Sequence, residues 1–234
     1  MTRLAIVIPC YNERDNIPLI VARLRACLAG RGDVVAILVD NGSTDGSDAV
    51  MARELAGQGQ IRSLRVAVNR GYGHGILTGL AAAEADVLAW THADMQTDPA
   101  DVLRALAAFD RTGGVVKGRR QNRALMETLF TAGMQVVASA LLGVRVSDVN
   151  AQPKLFSRAF YEAHLRAGAP LDFSLDLYLL WCARQAGVPI GEIPVVFAPR
   201  AHGEAKGGGS WRTRLRLIRR TFAYVWALRR AVRR

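Results

Sequence analysis

The sequence predicts an α/β domain in which a mostly parallel sheet is flanked by helices. Short apolar runs alternate with helical patterns, polar turn residues separate them, and half of the residues are hydrophobic. Residues 4–9 and 34–39 are continuous apolar runs, as expected of strands buried on both faces. A chain of 234 residues suits one such domain with a short appendage.

The other elements of the first half continue this alternation. Residues 17–28 have apolar side chains at helical spacing and follow a polar segment, residues 12–16, that can cap a helix. Val115 and Val116 begin a fifth strand. Between them we predict strands over residues 64–68 and 86–91, and helices over residues 49–56, 75–85 and 98–109. The second half is less regular.

The positive charge is concentrated in the tail. The net charge is +11, and residues 211–234 contain nine arginines and no acidic residue, which leaves about +2 for the rest. Apolar residues recur there at helical spacing, so we predict a basic amphipathic C-terminal helix after a domain of residues 1–210. This helix either rests on a membrane surface or docks on its own domain. Nucleic acid is disfavoured, because no stacking platform accompanies the charge.

Several classes of protein are excluded. Cys10, Cys27 and Cys182 lie far apart without CxxC spacing, which argues against a zinc site or a disulfide framework and favours a reducing compartment. The N-terminus lacks the apolar stretch of a signal peptide. Residues 128–144 are apolar but too short to span a bilayer, so a core or interfacial helix is expected.

Polar segments follow the predicted strands at the ends where α/β sheets bind ligands. Tyr11 and Glu13 could hold a nucleobase, or form only a turn with a solvated carboxylate. The loop at residues 40–47 could bind ribose or only build tight turns. The glycines of residues 69–75 allow the backbone to approach a ligand, or simply to pack tightly.

The segment at residues 91–99 is the best metal candidate in the sequence. His92, Asp94 and Gln96 alternate, so an extended chain would point them the same way. They offer one nitrogen and hard oxygens to Mg²⁺ or Mn²⁺, which complete their shells with phosphates and water. The alternative is a core histidine and an aspartate that caps a turn. Cationic residues that could bind phosphate, or form only a basic surface, are Lys117, Arg119, Arg120, Arg200, His202 and Lys206.

Taken in order, five segments resemble family 2 glycosyltransferases of the GT-A fold, in particular dolichol- and polyprenyl-phosphate mannose synthases. The resemblance covers residues 4–207, and residues 191–195 match the strand before the last motif. The segments are Val7-Ile-Pro-Cys-Tyr-Asn-Glu13, Val39-Asp-Asn-Gly-Ser-Thr-Asp-Gly46, Asn69-Arg-Gly-Tyr-Gly73, His92-Ala-Asp-Met-Gln96 and Arg200-Ala-His-Gly-Glu-Ala-Lys206.

The resemblance assigns roles by position. Pro9, Tyr11 and Glu13 would hold the nucleobase, and Val39 and Asn41 would line the nucleoside pocket. His92 and Ala93 would lie beside the donor, and Asp94 and Gln96 would bind Mg²⁺ or Mn²⁺. The catalytic or phosphate-binding residues would be Asp94, Arg120, Arg200 and Lys206.

Three departures from the family pattern bear on these roles. The family usually has Asp-Ala-Asp where this chain has His92-Ala-Asp94, and Asp-Asp-Gly-Ser where it has Asp40-Asn41-Gly-Ser. Ala205 replaces a usual serine before Lys206. The histidine removes a negative charge beside the expected metal, which raises the alternative of a catalytically inactive nucleotide-sugar-binding relative.

The resemblance implies an inverting transfer of a hexose from GDP-mannose or a UDP-hexose to polyprenyl or dolichyl phosphate. We expect a cytoplasmic protein on the inner face of the membrane, held there by its C-terminal helix or by a membrane-protein partner. An ionised phosphate acceptor needs no general base. A sugar hydroxyl of a cell-surface glycan, the alternative acceptor, would need one, and Asp172 and Asp176 are the candidates by position.

Overall fold

The structure, a computed structural model, describes residues 2–121 and 147–203, which contain seven strands and six helices. The strands are β1 (Leu4–Cys10), β2 (Val34–Asn41), β3 (Ile61–Val66), β4 (Val87–Trp90), β5 (Val115–Gln121), β6 (Lys154–Ser157) and β7 (Ile190–Val196). The helices are α1 (Ile17–Leu28), α2 (Ser47–Leu55), α3 (Tyr72–Ala81), α4 (Asp101–Thr112), α5 (Arg158–His164) and α6 (Leu175–Gln185).

All seven strands form one sheet in the order β3-β2-β1-β4-β6-β5-β7. Strands β1 to β4 pair in parallel, as do β5 and β7, so the predicted mostly parallel sheet is confirmed. Helix α1 has the bounds predicted from its periodicity, whereas β3 and α3 begin three residues earlier than predicted.

Both faces of the sheet are covered, which explains the continuous apolar runs. Ile6 and Ile8 of β1 pack on one side with α1 and α4, and Val7 packs on the other side with α3 and α6. These β1 side chains have no exposed surface. A strand covered on both faces must be apolar at every position, and for this reason β1 and β2 were recognisable from sequence.

Strand β6, like helices α5 and α6, was not predicted from the sequence. It runs antiparallel between β4 and β5, with Lys154 opposite both Trp90 and Lys117. A strand of four residues that begins with a lysine has no recognisable apolar pattern. It separates the two parallel parts of the sheet.

The lysine at the start of β6 is fully buried and must therefore be paired. Lys154 Nζ lies 2.7 Å from Asp176 Oδ1 on α6 and donates to the carbonyl oxygen of Ala151 at 2.7 Å. Burial lowers the pKa of Lys154, and the charge of Asp176 opposes that shift. The pair ties the middle of the sheet to α6.

Several predictions lie outside the described residues. They are the helix expected within residues 128–144, the domain boundary at residue 210, Lys206 and the basic C-terminal helix at residues 211–234. Within the two described ranges, no helix is long and apolar enough to cross a membrane.

We predict that Lys154→Met lowers the free energy of unfolding by about 3–5 kcal/mol, because it leaves the Asp176 carboxylate buried without its counter-ion. Urea unfolding followed by circular dichroism measures this change. The matched control is Arg166→Met, which removes an exposed ion pair with Glu162 and should leave the free energy of unfolding nearly unchanged. Equal effects of the two substitutions would contradict the prediction.

Candidate active site

The polar loops predicted to bind a ligand meet at one edge of the sheet. Strands β2, β1 and β4 are neighbours, and their carboxyl ends point the same way. The backbone N–H of Asn12 donates to Ser43 Oγ at 3.0 Å, and that of Thr44 donates to Asn12 Oδ1 at 2.9 Å. The loop after β1 is therefore fixed to the loop after β2.

The loop after β4 presents Asp94 from a tight turn. Met95 takes a positive φ of 59°, and Asp94 Oδ1 accepts the backbone N–H of Gln96 at 3.1 Å. The aspartate is only 3% exposed. A carboxylate this buried needs a cationic partner, because burial disfavours the charged form.

Arg200, from the segment after β7, is that partner. Its Nη2 lies 2.8 Å from Asp94 Oδ2, and its Nη1 lies 3.7 Å from Glu13 Oε1. The backbone nearby is fixed, because Ala198 N–H donates to Gln96 O at 2.8 Å and Gln96 Nε2 donates to Ala198 O at 3.3 Å. The guanidinium of Arg200 thus joins two other predicted site residues, Glu13 and Asp94, that are distant in the sequence.

His92 faces an aromatic group beside Asp94. Its Nε2 lies 3.0 Å from the hydroxyl of Tyr72, and the two rings meet edge to face. Tyr72 also stacks on Phe173, with ring centroids 4.9 Å apart. Burial lowers the pKa of His92, and although the carboxylates of Asp94 and Asp176 oppose this shift, the imidazole is neutral near pH 7.

A buried polar chain continues from Tyr72 into the domain. Gln152 Nε2 lies 3.4 Å from the Tyr72 hydroxyl and donates to Asp176 Oδ1 at 3.0 Å, the same oxygen that pairs with Lys154. Burial raises the pKa of Tyr72 well above its usual value, and the charge of Asp176 adds to this shift. Tyr72 lies in the matching segment Asn69–Gly73, but the sequence analysis assigned it no role, and it assigned none to Gln152 or Lys154.

The glycines of residues 69–75 serve packing in this structure. A Cβ on Gly71 would lie 2.4 Å from the carbonyl oxygen of Leu171, and one on Gly73 would lie 2.4 Å from that of Pro170. The third glycine, Gly75, leaves room for Asn41, whose Nδ2 donates to Gly71 O at 2.9 Å. The sequence left two interpretations of these glycines, close approach to a ligand and tight packing. These contacts fit tight packing of backbone segments.

Other predicted site residues lie deeper or further away. The side chains of Val39 and Ala93 are buried in the two cores, so only their backbones could face a ligand. Pro9 and Tyr11 are partly exposed at the end of β1.

Arg120 forms an ion pair with Asp148. Arg120 donates from its backbone N–H and its Nε to Asp148 and stacks on Phe197. Burial raises the pKa of the Asp148 carboxyl, but the hydrogen bonds from Arg120 outweigh this and leave it below its usual value. The roles of the individual residues in ligand binding stay predictions.

The residues around Asp94 fit a divalent cation that is shared with a substrate. No group of three or more His, Cys, Asp or Glu side chains that could hold a metal exists within residues 2–121 and 147–203. The guanidinium at Asp94 Oδ2 shows that this carboxylate already accommodates a cation. With Gln96 Oε1 as a second oxygen, Mg²⁺ or Mn²⁺ would need diphosphate oxygens and water to complete its shell.

Comparison with known proteins supports the family resemblance and the fold. The family described as Glycosyl transferase family 2 matches residues 5–165. An undecaprenyl-phosphate 4-deoxy-4-formamido-L-arabinose transferase of Pseudomonas fluorescens is 31% identical over 86% of this chain, and one of Salmonella paratyphi A is 27% identical over 87%. This chain covers 59% and 62% of those relatives, which is less than two thirds of their lengths.

Two solved structures share the fold. A mannosyltransferase from Pyrobaculum calidifontis in complex with GDP-Man and Mn²⁺ matches with a TM-score of 0.70 and 22% identity, covering 99% of this chain and 64% of its own. Glucosyl-3-phosphoglycerate synthase from Mycobacterium tuberculosis, in complex with Mn²⁺, UDP and glucosyl-3-phosphoglycerate, has a TM-score of 0.71 and 19% identity over 97% and 80%. Because the family match spans more than half of its residues, this chain belongs to glycosyl transferase family 2 and has the GT-A fold.

Proposed function

We propose that this protein transfers a sugar from a nucleoside diphosphate to a polyprenyl phosphate, with Mg²⁺ or Mn²⁺ at Asp94. The observation that carries the proposal is the contact of Arg200 with both Glu13 and Asp94 at the carboxyl ends of β1 and β4. It brings the expected nucleobase end and the expected diphosphate end of the donor site together.

The donor would lie along the loops after β2, β1 and β4. Tyr11 and Glu13 would hold the base beside Asn41, and Arg200 would bind the diphosphate through its planar guanidinium. When bound, the metal neutralises the charge that develops on the leaving diphosphate. The identity of the transferred sugar stays a proposal. The family resemblance predicts a hexose, whereas the curated relatives are named for a modified arabinose, which is a pentose.

A phosphate acceptor fits the surroundings of the two candidate bases. Asp176 is 3% exposed and accepts hydrogen bonds from Gln152 and Lys154, so its carboxylate is not available to a sugar hydroxyl. Asp172 Oδ1 accepts the backbone N–H of Ser174 at 2.9 Å, as in an ordinary turn before α6. An acceptor phosphate is already ionised near neutral pH and attacks without a base. The names of the curated relatives, undecaprenyl-phosphate transferases, support the same acceptor.

The neutral imidazole of His92 changes the electrostatics of the site. One carboxylate in place of two leaves Asp94 as the single acidic residue of the His92–Gln96 segment. We infer that the metal is held mainly through the nucleotide, so its affinity without a nucleotide is low. The inactive alternative would bind a nucleotide sugar but not turn it over, so sugar transfer that stops with EDTA distinguishes a working enzyme from it.

We expect Asp94→Asn to lower kcat/KM for sugar transfer by about a hundredfold or more, because a neutral amide holds the metal that neutralises the leaving diphosphate much more weakly than a carboxylate does. Transfer from GDP- and UDP-sugars to undecaprenyl phosphate, with Mn²⁺ or Mg²⁺ and after EDTA, is the measurement. Asp98→Asn is the matched control, since Asp98 lies in the same segment but pairs with Arg23. Full activity of Asp94→Asn, or activity that survives EDTA, would refute the role of the metal.

The acceptor class can be tested at Asp172. With undecaprenyl phosphate as acceptor, Asp172→Asn should retain activity within about threefold, because no base is required. Offering a polyprenyl phosphate and a sugar alcohol in parallel distinguishes the two acceptors. A large loss of turnover in Asp172→Asn, together with transfer to the alcohol, would favour the hydroxyl acceptor.

Membrane attachment through residues 211–234 remains a proposal that rests on sequence alone. We expect binding to vesicles that contain anionic phosphatidylglycerol, weakening with salt. Replacing Arg229, Arg230, Arg233 and Arg234 by glutamine in the full chain should reduce binding at least about tenfold in vesicle co-sedimentation. Unchanged binding would shift the proposal to docking of this helix on its own domain or to a membrane-protein partner.

A further inference from the structure

In this structure, the cation that contacts Asp94 is a protein side chain, the guanidinium of Arg200. Arg200 Nη2 occupies Asp94 Oδ2 at 2.8 Å, and the two side chains are 20% and 4% exposed. The proposed function places a divalent cation on the same carboxylate. Two cations this close repel strongly in a partly buried site, so Arg200 and the metal compete for Asp94.

The side chain of Arg200 is the part that can move. The reciprocal hydrogen bonds between Ala198 and Gln96 fix the backbone before it, and Asn16 Nδ2 donates to His202 O at 3.3 Å on the other side. An arginine side chain has several rotatable bonds, and this one is partly open to solvent. Release of the guanidinium therefore requires no opening of the segment from Phe197 to His202.

A diphosphate provides the guanidinium with a second anion. Glu13 Oε1, 3.7 Å from Arg200 Nη1, keeps a displaced guanidinium near the site. A metal that arrives alone displaces Arg200 and leaves its charge without an equivalent partner. A metal that arrives with a nucleoside diphosphate brings oxygens that a guanidinium binds in a bidentate way.

From this geometry we propose that Arg200 is an exchangeable counter-ion. It holds Asp94 in the empty enzyme and passes to the diphosphate when the metal binds, so metal binding depends on the nucleotide. The inference rests on the proposed function, because it needs a metal at Asp94. It adds a competition between Arg200 and the metal for Asp94, which a phosphate-binding arginine alone does not imply. It therefore predicts that replacing Arg200 has opposite effects on the binding of the metal and of the nucleotide.

The test compares the full-length wild type with Arg200→Gln. Mn²⁺ binding without nucleotide is followed by the electron paramagnetic resonance of free Mn²⁺, and binding of UDP and GDP at saturating Mn²⁺ by calorimetry. We expect Arg200→Gln to bind Mn²⁺ alone at least about fivefold more tightly, and the nucleotide about tenfold more weakly. The control is Arg23→Gln, which removes the guanidinium that pairs with Asp98. It should leave both affinities unchanged.

The outcomes separate the two proposals. Unchanged or weaker binding of Mn²⁺ alone by Arg200→Gln, with normal nucleotide binding by the wild type, overturns the exchange and leaves the proposed function intact. Failure of the wild type to bind either nucleotide with Mn²⁺ overturns the proposed function, and the exchange with it.

A second variant applies if Arg200→Gln does not fold. Arg200→Lys keeps a cation beside Asp94, so its affinity for Mn²⁺ alone should stay within about twofold of the wild type. Its nucleotide affinity should fall, because an ammonium group cannot make the bidentate contact. Binding of Mn²⁺ alone that is fivefold tighter in Arg200→Lys would contradict the exchange.

Discussion

The candidate site is organised around the buried charge of Asp94. A carboxylate in this position requires a cation, and the chain supplies one from a residue 106 positions later, Arg200. The hydrogen bonds between Ala198 and Gln96 hold the segment after β7 beside the loop after β4, and the contact of Arg200 with Asp94 lies next to them. That contact sets the relation of Asp94 to Glu13, because the same guanidinium reaches both carboxylates.

Behind the site, buried charges are paired in a second layer. Lys154 and Asp176 connect β6 to α6, and Gln152 links this pair to Tyr72 and so to His92. The buried Lys117 of β5 pairs at 2.8 Å with Glu192 of β7, whose side chain is exposed to solvent. Such pairs add little net stability, yet each is costly to break, so they hold the antiparallel strand and the helix in one arrangement.

His92 shows how one substitution in a family motif can be accommodated. The family pattern has a carboxylate at this position, whereas here a neutral imidazole meets the hydroxyl of Tyr72. The acidic character of the segment then rests on Asp94, and the charge balance of the site consists of Asp94, Glu13 and Arg200.

Strands β1 and β2, helix α1 and the polar loops that follow the strands could all be predicted from the sequence. These features depend on periodicity and turn residues within a dozen positions, which a single sequence displays. The folded domain was needed to find the place of β6, the pairing of Lys154 with Asp176, the contact of Tyr72 with His92 and the contact of Arg200 with Asp94. The physical reason is that these interactions join residues far apart in the chain, and a lysine or an arginine looks the same in sequence whether it is solvated or buried against a carboxylate.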